Sequence, residues 1–292
     1  MLPQEIAKKV KGIELRTKRM VNDIFSGEYH SVFKGRGIEF SEVREYGIGD
    51  DIRSIDWNVT ARMGTPFVKT YEEERELTVM LVVDASASGM FGTRGALKEE
   101  IAAEVSAVLA FSAIKNNDRV GLIIFTDCIE LFIPPEKGKK HVLRVIREIL
   151  YFKPKGRLTN IPAAIEHINA MLKRRAIVFL ISDFFAADYE RALRVTGRKH
   201  DLIAVRIRDE REDVLTDSGV LVFEDAETGA IRYIDTSSHS VRKKYWQYRQ
   251  NHNRELKNLF RRCGVDEIVL STGKPYEEEL IRFFKERMRN YR

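Results

Sequence analysis

Between residues 81 and 90 the chain reads Leu-Val-Val-Asp-Ala-Ser-Ala-Ser-Gly-Met. An apolar run from Val79 to Val83 ends abruptly in Asp84, and the alternate positions that follow are Ser86 and Ser88. A carboxylate and two hydroxyls at every second position suit a loop that grips a hard cation through oxygen. The same residues suit the N-cap of a helix, where Asp and Ser are preferred. A second carboxylate, Asp183, closes another apolar run, Phe-Leu-Ile-Ser-Asp. Carboxylates and hydroxyls without Cys or His favour Mg2+ or Mn2+ over Zn2+. Mg2+ seeks six oxygens and retains waters, so a cage with few directly bound charges keeps a position open. A carboxylate from another molecule can fill that position.

The elements that must carry these residues read as follows. Leu77–Val83 and Ala176–Ser182 are strands apolar on both faces. The spacing predicts an amphipathic helix over Ala96–Lys115 with Ile101, Val105, Val108 and Phe111 inward. Strands at Arg119–Phe125 and Ile129–Ile133 are joined by a tight turn at Thr126–Cys128. Helices follow at Lys139–Leu150, Ile161–Leu172 and Ala187–Arg198, with strands at Leu202–Ile207 and Glu267–Leu270 and a last helix at Tyr276–Met288. Two-sided apolar strands alternating with helices indicate an α/β fold with a doubly wound, mostly parallel sheet covered on both faces. Such sheets bind ligands outside the carboxyl ends of their strands, at a topological switch point. Asp84 and Asp183 both stand at such ends. Residues 209–263 interrupt the alternation with a hairpin, Val220–Phe223 and Ile231–Ile234, turning through Glu227-Thr-Gly, and a helix, Val241–Cys263. This segment reads as an insertion before the last strand.

Upstream, Ile6, Val10, Ile13, Met20, Val21 and Ile24 predict a helix over residues 3–25. Glycines 35, 37, 47, 49 and 64 then break residues 30–75 into short β-type pieces such as Ser31–Phe33 and Phe67–Tyr71. The expected division is residues 1–75, a helix and a small β-rich unit, followed by an α/β domain over 76–292. At 292 residues and 43% hydrophobic content the chain can bury a sizeable core. Lys and Arg number 50 against 44 Asp and Glu, a net +6 spread along the chain, which permits nucleic-acid binding without arguing for it. Cys128 and Cys263 make neither a metal spacing nor a disulfide framework. No apolar stretch approaches the ~18–20 residues of a membrane span, and the N-terminus lacks a signal-peptide pattern, so a cytoplasmic location is expected.

Asp84-Ala-Ser86-Ala-Ser88 resembles the metal-ion-dependent adhesion site of the von Willebrand factor A fold, Asp-x-Ser-x-Ser. That family completes its site with a distant threonine and a distant aspartate. Thr159, in Gly156-Arg-Leu-Thr-Asn-Ile, precedes a helix as the family's threonine does, and Asp183 ends the fourth strand as its aspartate does. The resemblance implies that Ser86, Ser88 and Thr159 approach the metal directly or through water, and that Asp84 and Asp183 act through water. Asp183 is followed by Phe184, where many such domains carry glycine, and this could narrow the mouth of the site. A closer likeness lies upstream. Gly35-Arg-Gly-Ile-Glu-Phe-Ser-Glu-Val-Arg-Glu-Tyr-Gly-Ile-Gly-Asp-Asp-Ile-Arg-Ser-Ile-Asp-Trp57, with Thr60-Ala-Arg through Lys69 and Glu72-Glu-Glu-Arg, resembles the signature of the DUF58 family. Those proteins carry a von Willebrand A domain and are typically encoded beside MoxR-type AAA+ ATPases. The resemblance therefore implies an adaptor or co-chaperone that binds Mg2+ or Mn2+ and meets a MoxR-type ATPase or an acidic residue of a client. Many relatives carry N-terminal membrane helices, and this chain is similar to the short kind without them.

Other motifs carry less. Asp50, Asp51 and Asp56 could form a second cation site or an interaction surface. The stronger reading is structural, with Asp56 and Trp57 anchoring the β unit to the core. The helix from Arg242-Lys-Lys-Tyr-Trp-Gln-Tyr-Arg to Arg261-Arg262 invites a nucleic-acid reading. Its apolar stripe, Val241, Tyr245, Tyr248, His252, Leu256, Leu259 and Cys263, favours packing against the domain instead. No phosphate-binding Gly-x-x-x-x-Gly-Lys-Ser/Thr loop, His-Glu-x-x-His or Gly-x-Ser-x-Gly elbow occurs. The six histidines are scattered, leaving a hydrolase without an obvious base. The expectation is binding, not catalysis.

Overall fold

The computed structural model describes residues 39–72, 76–92 and 97–290, together with Gly12. The strand piece Ser31–Phe33 and, apart from Gly12, the helix expected over residues 3–25 lie outside the described residues. The first described elements are an antiparallel ribbon, β1 (Glu39–Glu45) with β2 (Phe67–Glu72), and a short helix between them, α1 (Trp57–Met63). The α/β body follows as β3 (Thr78–Asp84), α2 (Lys98–Lys115), β4 (Arg119–Phe125), β5 (Ile129–Glu136), α3 (Lys139–Tyr151) and α4 (Ile161–Met171). It continues with β6 (Ile177–Ser182), α5 (Glu190–Lys199), β7 (Asp201–Arg208), the hairpin β8 (Val220–Glu224) and β9 (Ile231–Asp235), α6 (His239–Cys263), β10 (Asp266–Ser271) and α7 (Tyr276–Asn290).

The ribbon's acids have local tasks. Asp50 pairs with Arg44 at 2.6 Å, the Asp51 carboxylate accepts from Arg53 N at 2.9 Å, and the Asp56 carboxylate caps α1 by accepting from Asn58 N and Val59 N. Gly64 closes α1 in the left-handed region at φ +78°. Seven residues are too few to show helical periodicity, so this helix was not legible. Trp57 does not anchor the unit to the core: it is 67% exposed.

The central sheet runs in the order β10–β7–β6–β3–β4–β5, parallel throughout except for β5, which pairs antiparallel with β4. Five consecutive residues of β3, Val79 to Val83, are buried because both faces are covered. Val79, Leu81 and Val83 enter one core layer with α2, α3 and α7. Met80 and Val82 enter the other with α4, α5 and α6. Each such side chain contributes about 1.5–3 kcal/mol relative to an exposed one. Helix α2 is not amphipathic as expected: from Ile101 to Ala113 only Glu104 is more than marginally exposed. It lies on the sheet and is flanked by α3, so nearly every face is covered.

The segment expected as an insertion divides in two. Leu256, Phe260 and Cys263 of α6 are buried in the second core layer, so α6 is the crossover helix that returns the chain from β7 to parallel β10. Tyr248 of its expected apolar stripe is exposed, and the buried position is its neighbour Arg249, which pairs with Asp213 at 3.0 Å. The chain leaves β3 for β4 on one side and later returns to β6 on the other. That reversal opens a crevice at the carboxyl ends of β3 and β6.

Candidate metal centre

Strands β3 and β6 pair in parallel with Val83 opposite Ile181, which sets Asp84 beside Ser182. The Ser182 hydroxyl donates to Asp84 Oδ2 at 2.6 Å, and Ser86 N donates to Oδ1 at 3.0 Å. Burial pushes the Asp84 carboxyl up to about 6. The Ser182 hydrogen bond opposes that rise, and the nearby Asp183 carboxylate adds to it. The Ser86 and Ser88 hydroxyl oxygens lie 3.1 Å apart. Ser86 begins a short 3-10 turn, Ala87–Met90, without a side-chain cap bond, and the long helix α2 takes Leu97 as its N-cap. The helix-cap alternative therefore does not account for the two serines.

The Thr159 loop is fastened to this turn. Ala87 N donates to Arg157 O at 3.0 Å, and Asn160 N donates to Thr126 O at 2.8 Å. The Glu130 carboxylate accepts from Gly156 N, Lys155 N and the Thr126 hydroxyl, and the Gly156 bond chiefly holds it below the usual carboxylate range. Gly156 must be glycine here, because a Cβ would stand 2.0 Å from Asp127 Oδ1 and 2.3 Å from Thr126 Oγ1. Asn160 then caps α4 through Ala163 N.

Asp183 is buried, and its carboxylate is engaged on both oxygens. Phe185 N donates to Oδ1 at 3.1 Å, and the Lys98 ammonium donates to Oδ2 at 3.0 Å. Lys98 also pairs with Glu212, from the turn after β7. Lys98, 3% exposed, was missed by the sequence reading although it continues the inward spacing of Ile101, Val105 and Val108 toward the start of α2. Phe184 does not narrow the mouth. Its φ of +60° turns the ring into the second core layer, 5.0 Å from the ring of Phe260.

Asp84, Ser86, Ser88 and Asp183, with Lys98 and Ser182, line one recess of about 20 Å3, room for a single ion or water. Thr159 does not line it. Its hydroxyl donates at 2.6 Å to Glu227, at the tip of the β8–β9 hairpin. Glu227 was also missed, and no local signal in the sequence ties it to a loop 68 residues away.

The donor set fits a hard dication. Adjacent ligands of an octahedral Mg2+ at 2.0–2.1 Å stand roughly 3 Å apart, close to the 3.1 Å between the serine hydroxyls. Lys98 balances charge at Asp183 and Glu212, while among the described residues neither Asp84 nor Glu227 forms an ion pair. Burial raises the Glu227 carboxyl as well. By the resemblance, Ser86 and Ser88 would hold the ion directly, with Asp84 and Asp183 acting through water. Among the described residues no three His, Cys, Asp or Glu side chains group as a metal cluster, so any metal here depends on hydroxyls.

Sequence relatives cover this chain to different extents. The uncharacterized protein Rv1480 of Mycobacterium tuberculosis is 30% identical over 288 residues, 98% of this chain and 90% of that one. The uncharacterized protein YeaD of Bacillus subtilis is 28% identical over 109 residues, 37% of this chain and 25% of that one. Among solved structures, the conserved hypothetical protein BatB from Bacteroides thetaiotaomicron has a TM-score of 0.45 at 11% identity, covering 73% of this chain and 99% of that one. The SpRpn10 VWA domain has a TM-score of 0.40 at 10% identity, covering 70% and 94%. The family described as "Protein of unknown function DUF58" matches residues 42–255, a span that takes in β3, the Thr159 loop, Asp183 and the hairpin. On that match and the mycobacterial likeness, the chain belongs to the DUF58 family.

Proposed function

We propose that this protein is a metal-dependent, non-enzymatic protein-binding adaptor that works with a MoxR-type AAA+ ATPase. The observation that carries the reading is the recess at the switch point, where two serine hydroxyls lie 3.1 Å apart beside Asp84, a carboxylate without an ionic partner among the described residues. A bound Mg2+ or Mn2+ supplies a Lewis-acidic position that another protein's carboxylate can occupy. With the ion bound, Ser86 and Ser88 would hold it and Asp84 and Asp183 would orient water, while Lys98 balances the charge of Asp183 and Glu212.

A cleft of about 450 Å3 runs beside the same loop, with Phe152, Lys153, Lys155 and Arg157 among its lining residues. Its basic residues and the aromatic ring suit a segment that brings an acidic residue to the metal. The family resemblance supplies the ATPase as partner. Among the described residues no helix is long and apolar enough to cross a membrane.

The test is co-purification with the MoxR-type ATPase of the same host, with Mg2+ and with EDTA, for wild type and Asp84→Ala. Association lost in EDTA and in the variant, with folding kept, supports the reading. Association indifferent to both defeats it.

A second reading rests on the outer face of α6, where Trp246 and Tyr248 are 48% and 63% exposed among basic residues. Stacking on nucleic-acid bases would use that face. Filter binding of DNA and RNA across salt concentrations decides it, since phosphate contacts weaken steeply with salt.

A further inference from the structure

The cleft of about 450 Å3 beside the Ser86–Ser88 turn has a chemistry of its own. Its volume lies in the range of ligand sites, about 300–1,000 Å3. Its apolar lining reaches the core. Val83, Ala102 and Ile124, from β3, α2 and β4, are 5% exposed or less, and Ile149 and Phe152 at the end of α3 are half-buried. Lys153, Lys155 and Arg157 line the same cleft at alternate positions of the next loop, and all three are exposed. Arg157 Nη2 donates to Ala226 O at 2.9 Å, and none of the three forms an ion pair among the described residues. The acids of the cleft, Asp84 and Glu99, also line the recess, so outside that shared part every lining charge is positive. The basic loop is held before anything binds. Lys155 N and Gly156 N donate to the Glu130 carboxylate at 2.9 and 2.7 Å, and Ala87 N donates to Arg157 O at 3.0 Å. Docking on a loop already ordered leaves more of the contact energy for affinity.

We infer that this cleft is the docking groove for an acidic peptide segment of a partner, with one bulky apolar residue seated on Ile149 and Phe152 and carboxylates along Lys153, Lys155 and Arg157. The inference deepens the adaptor reading above and rests on it, but the contact is made by the protein alone and persists without a metal. Three cations strung along a loop match charges strung along a chain, whereas a small anion with one headgroup engages only part of the row. The apolar anchor supplies affinity by filling a desolvated pocket. The acids select the partner and speed encounter. Asp84 and Ser86 line both cleft and recess, so a metal in the recess strengthens a contact that the cleft already makes.

The probe is a displayed library of random dodecapeptides, selected on the full chain in EDTA and separately in Mn2+, with recovered peptides synthesised and titrated by fluorescence anisotropy. Selection in EDTA enriches peptides that combine an aromatic or branched aliphatic residue with several acids. Lys153→Glu/Lys155→Glu, a change confined to exposed side chains, weakens them about ten-fold or more at low salt. Lys139→Glu/Lys140→Glu, exposed at the opposite end of α3, changes little. Replacing the peptide's own apolar residue by serine weakens binding about thirty-fold, and this reads the anchor without disturbing the fold of the protein. No enrichment in EDTA, recovered peptides without acids, or binding indifferent to Lys153→Glu/Lys155→Glu overturns the groove. Peptides recovered only in Mn2+ also overturn it and leave the metal reading standing. Binding in EDTA that Mn2+ does not change supports the groove and counts against the metal reading.

Discussion

Lys98→Met removes the ammonium beneath the candidate site and keeps most of its stem. Lys98 Nζ lies 3.0 Å from Asp183 and also pairs with Glu212, and both Lys98 and Asp183 side chains are 3% exposed. At that distance and an effective dielectric constant of about 20, attraction to Asp183 is roughly 5 kcal/mol, much of it offset by desolvation of the two ions. Deleting one member of such a buried pair costs about 3–5 kcal/mol, because the other charge is left uncompensated. With an unfolding entropy near 2.1 cal/mol/K per residue, the melting temperature in EDTA falls by roughly 5–8 °C. Burial works against the Lys98 ammonium, but Asp183 and Glu212 outweigh it and hold its pKa above the ordinary 10.5. Its stabilising contribution is therefore fully present below pH 10.5 and is lost only as pH rises through the higher folded value. Mn2+ at ~100 times its Kd adds about 2.7 kcal/mol to a protein that binds it. The variant, with one positive charge fewer in the recess, binds the ion more tightly than wild type. Thermal melts in EDTA and in Mn2+ supply both quantities. A variant melting within about 1 °C of wild type in EDTA refutes the counter-ion role of Lys98. Mn2+ stabilisation no greater than in wild type refutes its competition with the metal.

Other perturbations address the neighbouring parts of the site. Because Asp84 titrates near 6 when buried, above its ordinary 3.8, metal-free protein gains stability from this group as pH falls from above 6 toward 4. Mn2+ binding changes in the opposite direction, weakening up to ten-fold per pH unit below that value, as calorimetry at pH 7.0, 6.0 and 5.0 would measure it (nominal settings, about a unit apart). Gly156→Ala drives a Cβ into Thr126 and Asp127 and displaces the Thr159 loop. It weakens Mn2+ binding and costs roughly 1–3 kcal/mol in denaturant melts, and unchanged values for both would show that the loop is not positioned by this contact.

The sequence shows the frame of this site more fully than its closure. The runs ending in Asp84 and Asp183 were legible because β3 and β6 are buried on both faces, leaving no polar position until the chain emerges. The α6 stripe was legible at Leu256 and Cys263, where the helix covers the sheet, and misleading at Tyr248, where the demand of Asp213 for Arg249 governs the helix face. Lys98 lay on a readable stripe, but a lysine at the start of a helix ordinarily reads as its solvated end. Its burial follows from two acids on other strands and turns. The meeting of Thr159 with Glu227 is tertiary: it depends on the direction in which the hairpin leaves β7, which no local pattern encodes. Phe184 shows the same limit, since its left-handed backbone, not its size, decides that the ring leaves the site for the core.

The central claim is that Ser86 and Ser88 hold a divalent ion at the switch point of the sheet. Calorimetric titration of Mn2+ into EDTA-stripped wild type and into Ser86→Ala/Ser88→Ala tests it most directly. The account predicts a single ion bound by wild type and none by the double variant, with a comparable melting temperature in EDTA. No binding by folded wild type, or binding retained by the double variant, contradicts it.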